Sequence, residues 1–334
     1  MAEIDRLGLH RTPVYDEFWK FAAKRHAVFL ARQERKNSEP VSDPILKTYR
    51  FTNAYRAVDR VSQYLIANVH RGTPDADSRR NTVFRTLLFK MFNKIETWES
   101  LDAALGDPDV RTFDFAGAIT HLETLRAKGT SVYSGAYIMP SPRMGQTSKA
   151  ANHLVLLRHI VNSDIMDELE IAGSLKVCFE SLLDVPSFGP FLAFQYSVDL
   201  AYSDAFALSE SDFVVAGPGA LDGLSKSFRS LNGHTAERVI RAVTDDQERE
   251  FDRLGISFPG LMGRALQPID CQNLFCEVSK YSRISHPHMI GVSGRTRIKQ
   301  NYRPSTRPLP ELVLPRHWAT TPLLGSIEPL VAAE

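Results

Sequence analysis

The sequence predicts a mostly α-helical protein, and three observations support this fold class. Apolar residues recur at helical spacing in long segments between residues 12 and 281. Strand patterns are few and short, and no internal repeat is visible. The 334-residue chain is 43% hydrophobic and 24% charged, which is typical of a globular protein with a sizeable core.

The first half of the chain predicts five helices. Thr12 and Pro13 provide a capping hydroxyl and a first-turn proline for a helix over residues 12–30. The other predicted helices and the segments between them follow in chain order: a polar linker at 37–44, helix 51–65, a loop at 70–81, helices 84–98 and 114–128, an aromatic stretch and loop at 131–149, and helix 150–169.

The second half predicts a tight hairpin at residues 185–190 and five helices after it. These are helices 191–202, 223–231, one starting at Thr235, 245–254 with a Thr244–Gln247 capping box, and 269–281. We expect one helical unit over residues 1–310, in which residues 150–265 form the hairpin lobe if the unit divides into two lobes. Residues 311–334 are predicted to be a proline-rich tail.

Composition excludes several functional classes. The net charge is only +1, so bulk charge does not indicate a nucleic-acid binder. The three cysteines form neither a disulfide framework nor a zinc pattern, which predicts a reducing, cytoplasmic location. We expect no signal peptide, membrane span, metal site or cofactor, and neither a phosphate-binding Walker motif nor a Ser-His-Asp elbow is present.

The hairpin itself indicates a phosphate site. Backbone N–H groups of Ser187, Phe188 and Gly189 can converge on a DNA phosphate, as in helix-hairpin-helix DNA glycosylases. Ser187 departs from that pattern, which has glycine there, and an ordinary corner between helices explains the segment equally well. Gly217 and Gly219 form a second candidate backbone nest.

Acidic residues follow the hairpin at the spacing that a glycosylase uses. Asp212 lies 23 positions after Gly189, and its carboxylate could stabilise an oxocarbenium-like sugar. Glu210 and Asp222 are rival candidates, and each of the three acids could equally be an ordinary loop or helix-end carboxylate. Pro190 stands where glycosylase/lyases carry a lysine, so a glycosylase here would be monofunctional.

Two further groups of residues are candidates for substrate contact. Polar residues on helical faces could form a base pocket or simply face solvent: Asn53, Gln195, Asp270, Asn273 and Glu277. Residues 278–310 carry seven Lys/Arg and no Asp or Glu, which favours contact with DNA. The candidate cationic DNA contacts are Lys226, Lys280, Arg295, Arg297 and Lys299.

Several segments resemble one known bacterial and phage family. They are FTNAYR (51–56), DRVSQYL (59–65), the segment 84–98, YIMP (137–140), GPFLA (189–193), FVVAGPGA (213–220), IDCQNLFCE (269–277) and SGRTRIKQ (293–300). The family is that of the 5-hydroxymethyluracil DNA kinase helical domain, which is related to the α-glutamyl/putrescinyl thymine pyrophosphorylases. The resemblance implies a glycosylase-like helical fold and a modified DNA base as substrate.

The expected function is a monofunctional DNA glycosylase of antiphage defence that flips and excises a modified pyrimidine from phage DNA. One alternative is a hypermodification transferase that displaces pyrophosphate from an activated 5-hydroxymethyl pyrimidine in DNA. A second is a binder of modified DNA without activity. The expected partner is double-stranded DNA with modified bases, and neither a membrane nor an obligate protein partner is expected.

Overall fold

The computed structural model describes residues 2–34, 41–70, 76–135, 139–304 and 311–320, and this part of the chain is mostly helical. The helices are α1 (Glu3–Arg6), α2 (Pro13–Gln33), α3 (Pro44–Thr48), α4 (Arg60–Tyr64), α5 (Ala76–Phe92), α6 (Ile95–Leu105), α7 (Phe115–Ala127), α8 (Lys149–Val161), α9 (Asp164–Ile171), α10 (Leu175–Leu183), α11 (Pro190–Ala201), α12 (Pro218–Ser227), α13 (Ala236–Asp245), α14 (Gln247–Arg253) and α15 (Pro268–Ser285). In these residues, β-type pairing is limited to three isolated β-bridges.

Most predicted helices are confirmed, with ends set by capping side chains. Thr12 accepts a hydrogen bond from Val14 N (3.2 Å) at the start of α2. Asp114 and Ser148 cap α7 and α8 in the same way. The predicted helix 150–169 divides into α8 and α9 at a Ser163 N-cap, and helix 84–98 divides at Asn93, whose φ is +48°.

The prediction of a continuous helix over residues 51–65 is wrong. Residues 51–55 are extended or bent, and one 3-10 turn (Arg56–Val58) precedes the short helix α4. The backbone N–H groups of this segment bind side-chain carboxylates: Thr52 N donates to Glu277 (3.1 Å) and Asn53 N donates to Asp59 (2.7 Å). Arg56 N, which would donate to Thr52 O in a helix, donates to Asp270 (2.7 Å), and Thr52 O accepts from Arg25 Nε (2.8 Å).

The predicted capping box at residues 244–247 is also wrong. Thr244 Oγ1 donates to Ile240 O (2.9 Å) inside α13, and the Gln247 amide bonds to Thr244 O and Leu266 O. Helix α14 therefore begins later, at Gln247.

Helices α12 and α15 form the closest helix pair at the centre of the fold. Gly223 allows this approach, because an added Cβ would lie 2.0 Å from Phe275 O. Helix α2 packs against the same pair through Phe18, whose ring centroid lies 4.4 Å from that of Phe275. The central pair positions α15 so that its polar face meets residues 51–59.

Two stretches of the C-terminal region pack against the N-terminal half. The backbone N–H of Tyr302 donates to Thr48 O (2.9 Å), and that of Arg50 donates to Gln300 O (3.0 Å). Of the predicted tail, residues 311–320 are described, and the Gln63 side chain bonds to both the N and O atoms of Val313 (2.9 and 3.0 Å). Residues 137 and 138 of the YIMP segment lie outside the described residues.

Candidate functional site

A basic cleft of about 610 Å³ lies between α2, the 51–63 segment and residues 301–303. This volume is within the range of about 300–1,000 Å³ that small-molecule sites occupy. Of its described lining residues, seven are cationic and one is acidic: Arg25, Arg32, Arg50, Arg56, Arg60, Lys90, Arg303 and Asp59. The excess of positive charge makes the cleft suited to an anionic ligand.

Two buried donors at the cleft have no hydrogen-bond partner in the described part of the chain. Arg25 is 9% exposed, and its Nε donates to Thr52 O (2.8 Å). Arg25 Nη1 and Thr52 Oγ1 are both buried, with no hydrogen-bond partner among the described residues. Burial lowers the pKa of Arg25 to about 10, so the guanidinium remains charged at neutral pH. A buried donor without a partner costs about 1–3 kcal/mol, and an oxygen-rich ligand would remove that cost.

Asp59 is the carboxylate of the cleft. Its Oδ1 accepts from Asn53 N (2.7 Å), and the Asn53 amide donates to Val58 O (2.7 Å). Burial raises the pKa of Asp59 to about 6, against the opposing effects of the Asn53 hydrogen bond and the Arg25 charge. An acid with a pKa near 6 is suited to accepting a proton at neutral pH.

Beneath the cleft, Arg56 joins several predicted pocket residues in one buried network. Its Nε donates to Gln195 Oε1 (3.0 Å), its Nη2 lies 2.8 Å from Asp199, and its backbone N donates to Asp270 (2.7 Å). Lys90 Nζ lies 3.1 Å from the other Asp199 oxygen. The structure therefore brings Gln195 and Asp270 together, as links in a charge network under the cleft.

Glu210, one of the three candidate acids, is buried in this same network. It pairs with Arg264 (2.9 Å) and is 4% exposed. Burial raises the pKa of both Glu210 and Asp270. For Asp270, the negative charge of the Glu210 carboxylate is the second largest cause of this rise. The Trp318 ring covers this pair, with the Arg264 guanidinium 4.1 Å from its centroid.

Asp212 and Asp222 lie in different surroundings from Glu210. Asp212 is exposed on a turn, and its backbone O accepts from Arg241 (2.9 Å). Asp222 is 1% exposed and binds Ser279 Oγ and Ser293 N, which places it between α12, α15 and the loop after α15. The three acids are therefore not alternatives for one position.

The remaining predicted pocket residues lie on α15 and beside it. Glu277 accepts from Thr52 N and pairs with Lys280 Nζ (2.7 Å). The Asn273 side chain is 7% exposed, and its Nδ2 has no hydrogen-bond partner among the described residues. The structure thus connects Asn53 and Glu277 through Thr52, and it places Asn273 one turn before Glu277 on α15.

The hairpin forms the expected turn between α10 and α11, with Gly189 as the N-cap of α11. Ser187 has a φ of +72°, a conformation that the glycine of the helix-hairpin-helix glycosylase pattern adopts easily. The Phe188 side chain is buried against Tyr196 (ring centroids 4.9 Å apart), so it cannot contact DNA from this position. The Phe188 N–H also donates to Val185 O within the turn (3.0 Å), so the exposed Ser187 and Gly189 are the predicted hairpin contacts that remain accessible.

The second candidate nest and Lys226 are packing features. An added Cβ on Gly217 would lie 2.5 Å from the Phe191 ring, and one on Gly219 would lie 2.2 Å from Cys276 Sγ. Lys226 is 1% exposed and donates to Ser279 O (2.9 Å). The expected DNA contact by Lys226 is therefore wrong, because the ammonium is buried.

The other predicted cationic contacts lie at or near the surface. Arg295, Arg297 and Lys299 are exposed. Lys280 is partly covered, and its ammonium lies 4.5 Å from the Phe51 ring centroid. These residues lead along the chain to Tyr302 and Arg303 at the cleft, where Arg32 donates to the Tyr302 hydroxyl (3.1 Å).

Sequence reasoning missed most of the cleft. Of the polar stripe that Asn53, Arg56, Asp59, Arg60 and Gln63 form in the sequence, only Asn53 is predicted as a pocket residue, and Arg25 is not predicted at all. The available signal is the resemblance itself, because the FTNAYR and DRVSQYL segments supply nine of the lining residues: Phe51, Thr52, Asn53, Arg56, Asp59, Arg60, Val61, Ser62 and Gln63. Arg25 carried no such signal, since it lies within an otherwise ordinary amphipathic helix.

The described residues contain no cluster of His, Cys, Asp and Glu that could hold a metal ion. No described helix is long and apolar enough to cross a membrane.

The fold and cleft define a helical protein with a basic cleft, and comparison with known proteins identifies its family. The 5-hmdU DNA kinase helical domain matches residues 12–291, and the chain belongs to this family. It is 24% identical over 302 residues to the 5-hmdU DNA kinase of Bacillus phage SP10. The matched region covers 83% of this chain and 47% of the relative. The chain thus spans about half the length of this curated relative. No solved structure is significantly similar to the chain.

This comparison corrects the function expected from the sequence. The relative is named a kinase, and phosphoryl transfer is a different reaction from excision of a base by a glycosylase. The expectation of a monofunctional, antiphage DNA glycosylase is therefore wrong. Neither of the expected alternatives, the pyrophosphate-displacing transferase and the inactive binder, corresponds to the named activity.

Proposed function

We propose that this chain binds a 5-hydroxymethyl pyrimidine nucleotide of DNA in the basic cleft and prepares its hydroxymethyl group for phosphorylation. The observation that carries the proposal is the arrangement at Asp59. This carboxyl, with a pKa near 6, shares the cleft with Arg25 Nη1 and Thr52 Oγ1, two buried donors without a partner among the residues that the structure describes. The family and the named activity of the phage relative supply the substrate class.

In this proposal the arginines neutralise phosphate oxygens of the bound nucleotide. Arg25 is held in place by Thr52 O, and Arg32 stacks on Tyr302 with its guanidinium 5.4 Å from the ring centroid. Guanidinium groups fixed by such contacts lose less entropy on binding than free ones. The nucleotide must leave the helix stack to enter a cleft of this size.

Asp59 acts as the general base. The hydroxymethyl oxygen attacks the terminal phosphorus of a nucleoside triphosphate, the bond to the leaving diphosphate breaks, and the hydroxyl proton passes to Asp59. Because the sequence carries no Walker motif, the proposal assigns only the DNA side of the reaction to this cleft.

The test has a binding and a chemical part. Anisotropy compares a labelled duplex carrying one 5-hmdU with the same duplex carrying thymidine, for the wild type and for Arg25→Gln. Incubation with ATP and a separately supplied kinase domain that carries a Walker motif, followed by nuclease digestion and mass spectrometry, then scores the phosphorylated nucleoside. We expect a preference for 5-hmdU that Arg25→Gln reduces, and product that Asp59→Asn abolishes. Equal affinity for both duplexes, or full activity of Asp59→Asn, would refute the proposal.

A further inference from the structure

One exposed aromatic ring stands among the cations of the basic cleft. Tyr302 lines the cleft and is 37% exposed, and no other Phe, Tyr or Trp of the described residues is exposed. Proteins that hold unpaired nucleotides combine cations, which meet the phosphates, with aromatic rings, on which the bases stack. The cleft has both components, because Arg303 and Arg32 lie in its lining with Tyr302.

Backbone hydrogen bonds fix the position of Tyr302 at the cleft. Its own N–H donates to Thr48 O (2.9 Å), and the N–H of Arg50, another lining residue, donates to Gln300 O (3.0 Å). The chain before the ring is therefore paired with the segment that enters the cleft at Arg50. A ring that is already held in this way loses little conformational freedom when a base stacks on it.

Arg32 of α2 holds the Tyr302 side chain from one side. Its Nη2 donates to the Tyr302 hydroxyl (3.1 Å), and its guanidinium lies 5.4 Å from the centroid of the ring. This cation–π contact occupies one face of the ring, while the 37% exposure of the side chain leaves ring surface for a ligand. A nucleobase can add to this stack, because every base presents a flat π face.

Tyr302 lies within reach of the Asp59 end of the cleft. Arg25 and Arg32 are two helical turns apart on the face of α2 that lines the cleft, a separation of about 10 Å along the helix axis. Burial lowers the pKa of Arg25, and the Asp59 carboxylate and the Tyr302 hydroxyl both oppose this effect. Both groups therefore lie within electrostatic reach of the same guanidinium, and one nucleotide can contact all of them.

We infer that Tyr302 is the base-stacking residue of the cleft. Its ring packs against the face of the extruded nucleobase, while Arg32 and Arg303 beside it meet the phosphates. Stacking uses a face that all bases share, so Tyr302 supplies affinity for an unstacked base, and the choice of a 5-hydroxymethyl group is left to the Asp59 end. This assignment rests on the proposed function, since it takes an extruded DNA nucleotide as the ligand.

The experiment compares two labelled duplexes that differ only in whether the target nucleotide has a base. One carries 5-hmdU, and the other carries a tetrahydrofuran abasic analogue at the same position. Anisotropy gives the affinity of each duplex for the wild type and for Tyr302→Ala, Tyr302→Leu and Tyr302→Phe. Arg303→Gln removes a cation of the cleft and keeps the ring, and Ile171→Ala removes a side chain that is 77% exposed on α9, outside the cleft lining. Thermal unfolding checks that all variants fold.

Tyr302→Ala should weaken binding of the 5-hmdU duplex about tenfold and binding of the abasic duplex less than about twofold, because only the first has a base to stack. Tyr302→Phe keeps the ring and should stay within about twofold of the wild type, whereas Tyr302→Leu should resemble Tyr302→Ala. Arg303→Gln should weaken both duplexes equally, with a smaller loss at high salt, because phosphates are present in both. Ile171→Ala should bind as the wild type does.

Equal weakening of the two duplexes by Tyr302→Ala would overturn the stacking role, since it would assign Tyr302 to phosphate contact or to the shape of the cleft. Wild-type affinity of Tyr302→Ala or of Tyr302→Leu for the 5-hmdU duplex would do the same. Failure of the proposed function has a separate signature, which is equal wild-type affinity for 5-hmdU and thymidine duplexes. The loss caused by Tyr302→Ala should appear with either base, so the two ideas are tested independently.

Discussion

Replacing Asp59 by asparagine should stabilise the fold while it removes the proposed catalytic base. Burial raises the pKa of Asp59 from its ordinary value of 3.8 to about 6. Because the folded-state pKa is the higher one, the protonated form is favoured by folding, and stability falls as pH rises from about 4 to about 6. At about 1.4 kcal/mol for each tenfold change in the protonation equilibrium, the ionised carboxylate costs up to about 3 kcal/mol at pH 7.5.

Asparagine keeps the oxygen that accepts from Asn53 N and carries no charge to desolvate. Asp59→Asn should therefore raise the free energy of unfolding by up to about 3 kcal/mol at pH 7.5 and by roughly half of that at pH 5. Urea unfolding at the two pH values measures both differences. The exposed Asp212→Asn is the matched control and should change stability by less than about 0.5 kcal/mol.

Activity and binding should respond to pH in opposite directions. The ionised fraction of Asp59 falls from about 90% at pH 7 to about 10% at pH 5, so wild-type phosphorylation should fall about tenfold. Over the same range the affinity for DNA should rise, since the cleft loses its negative charge. An Asp59→Asn variant that is no more stable than the wild type, or whose gain does not shrink at pH 5, would refute the reasoning.

Three further substitutions test other parts of the structure. Gly223→Ala should destabilise by more than about 3 kcal/mol in urea unfolding, because its methyl group would meet Phe275 O; an unchanged midpoint would contradict the packing of α12 on α15. Ser187→Gly should stabilise by up to about 1 kcal/mol, because it relieves a positive φ, and a loss of stability would show that the turn is not strained. Arg25→Gln should weaken binding of a labelled 5-hmdU duplex about tenfold, with the loss decreasing at high salt; an unchanged affinity would exclude Arg25 from the phosphate contacts.

Local patterns predicted the elements whose hydrogen bonds are satisfied locally. Helix α2 begins where Thr12 and Pro13 indicate, and the hairpin at residues 185–190 turns between two helices. Apolar periodicity is sufficient in these cases, because the buried face and the backbone ladder belong to the same segment. The wrong helix at 51–65 has the opposite character, since Arg56 N, which would donate to Thr52 O in a helix, donates instead to Asp270 of α15.

The cleft could not be assembled from local patterns. Its donor Arg25 comes from α2, its acid Asp59 from the start of α4, and Tyr302 from the segment that pairs with Thr48. The raised pKa of Asp59 depends on its burial, and burial is a property of the packed chain. The spacing of acids after the hairpin indicated glycosylase chemistry. That spacing grouped Glu210, Asp212 and Asp222 as candidates for one role, although the structure places them in separate surroundings.

The sequence by itself determined the helical class, the main helices, the basic segment 278–310 and the family resemblance, because these depend on composition and on neighbours along the chain. The tertiary structure decided which charges are buried and which are available. It placed Lys226 and Asp222 in the interior, and it placed Arg25 and Asp59 together at one cleft. The physical reason is that charge chemistry depends on solvent access and on partners distant in sequence, which only the packed fold supplies.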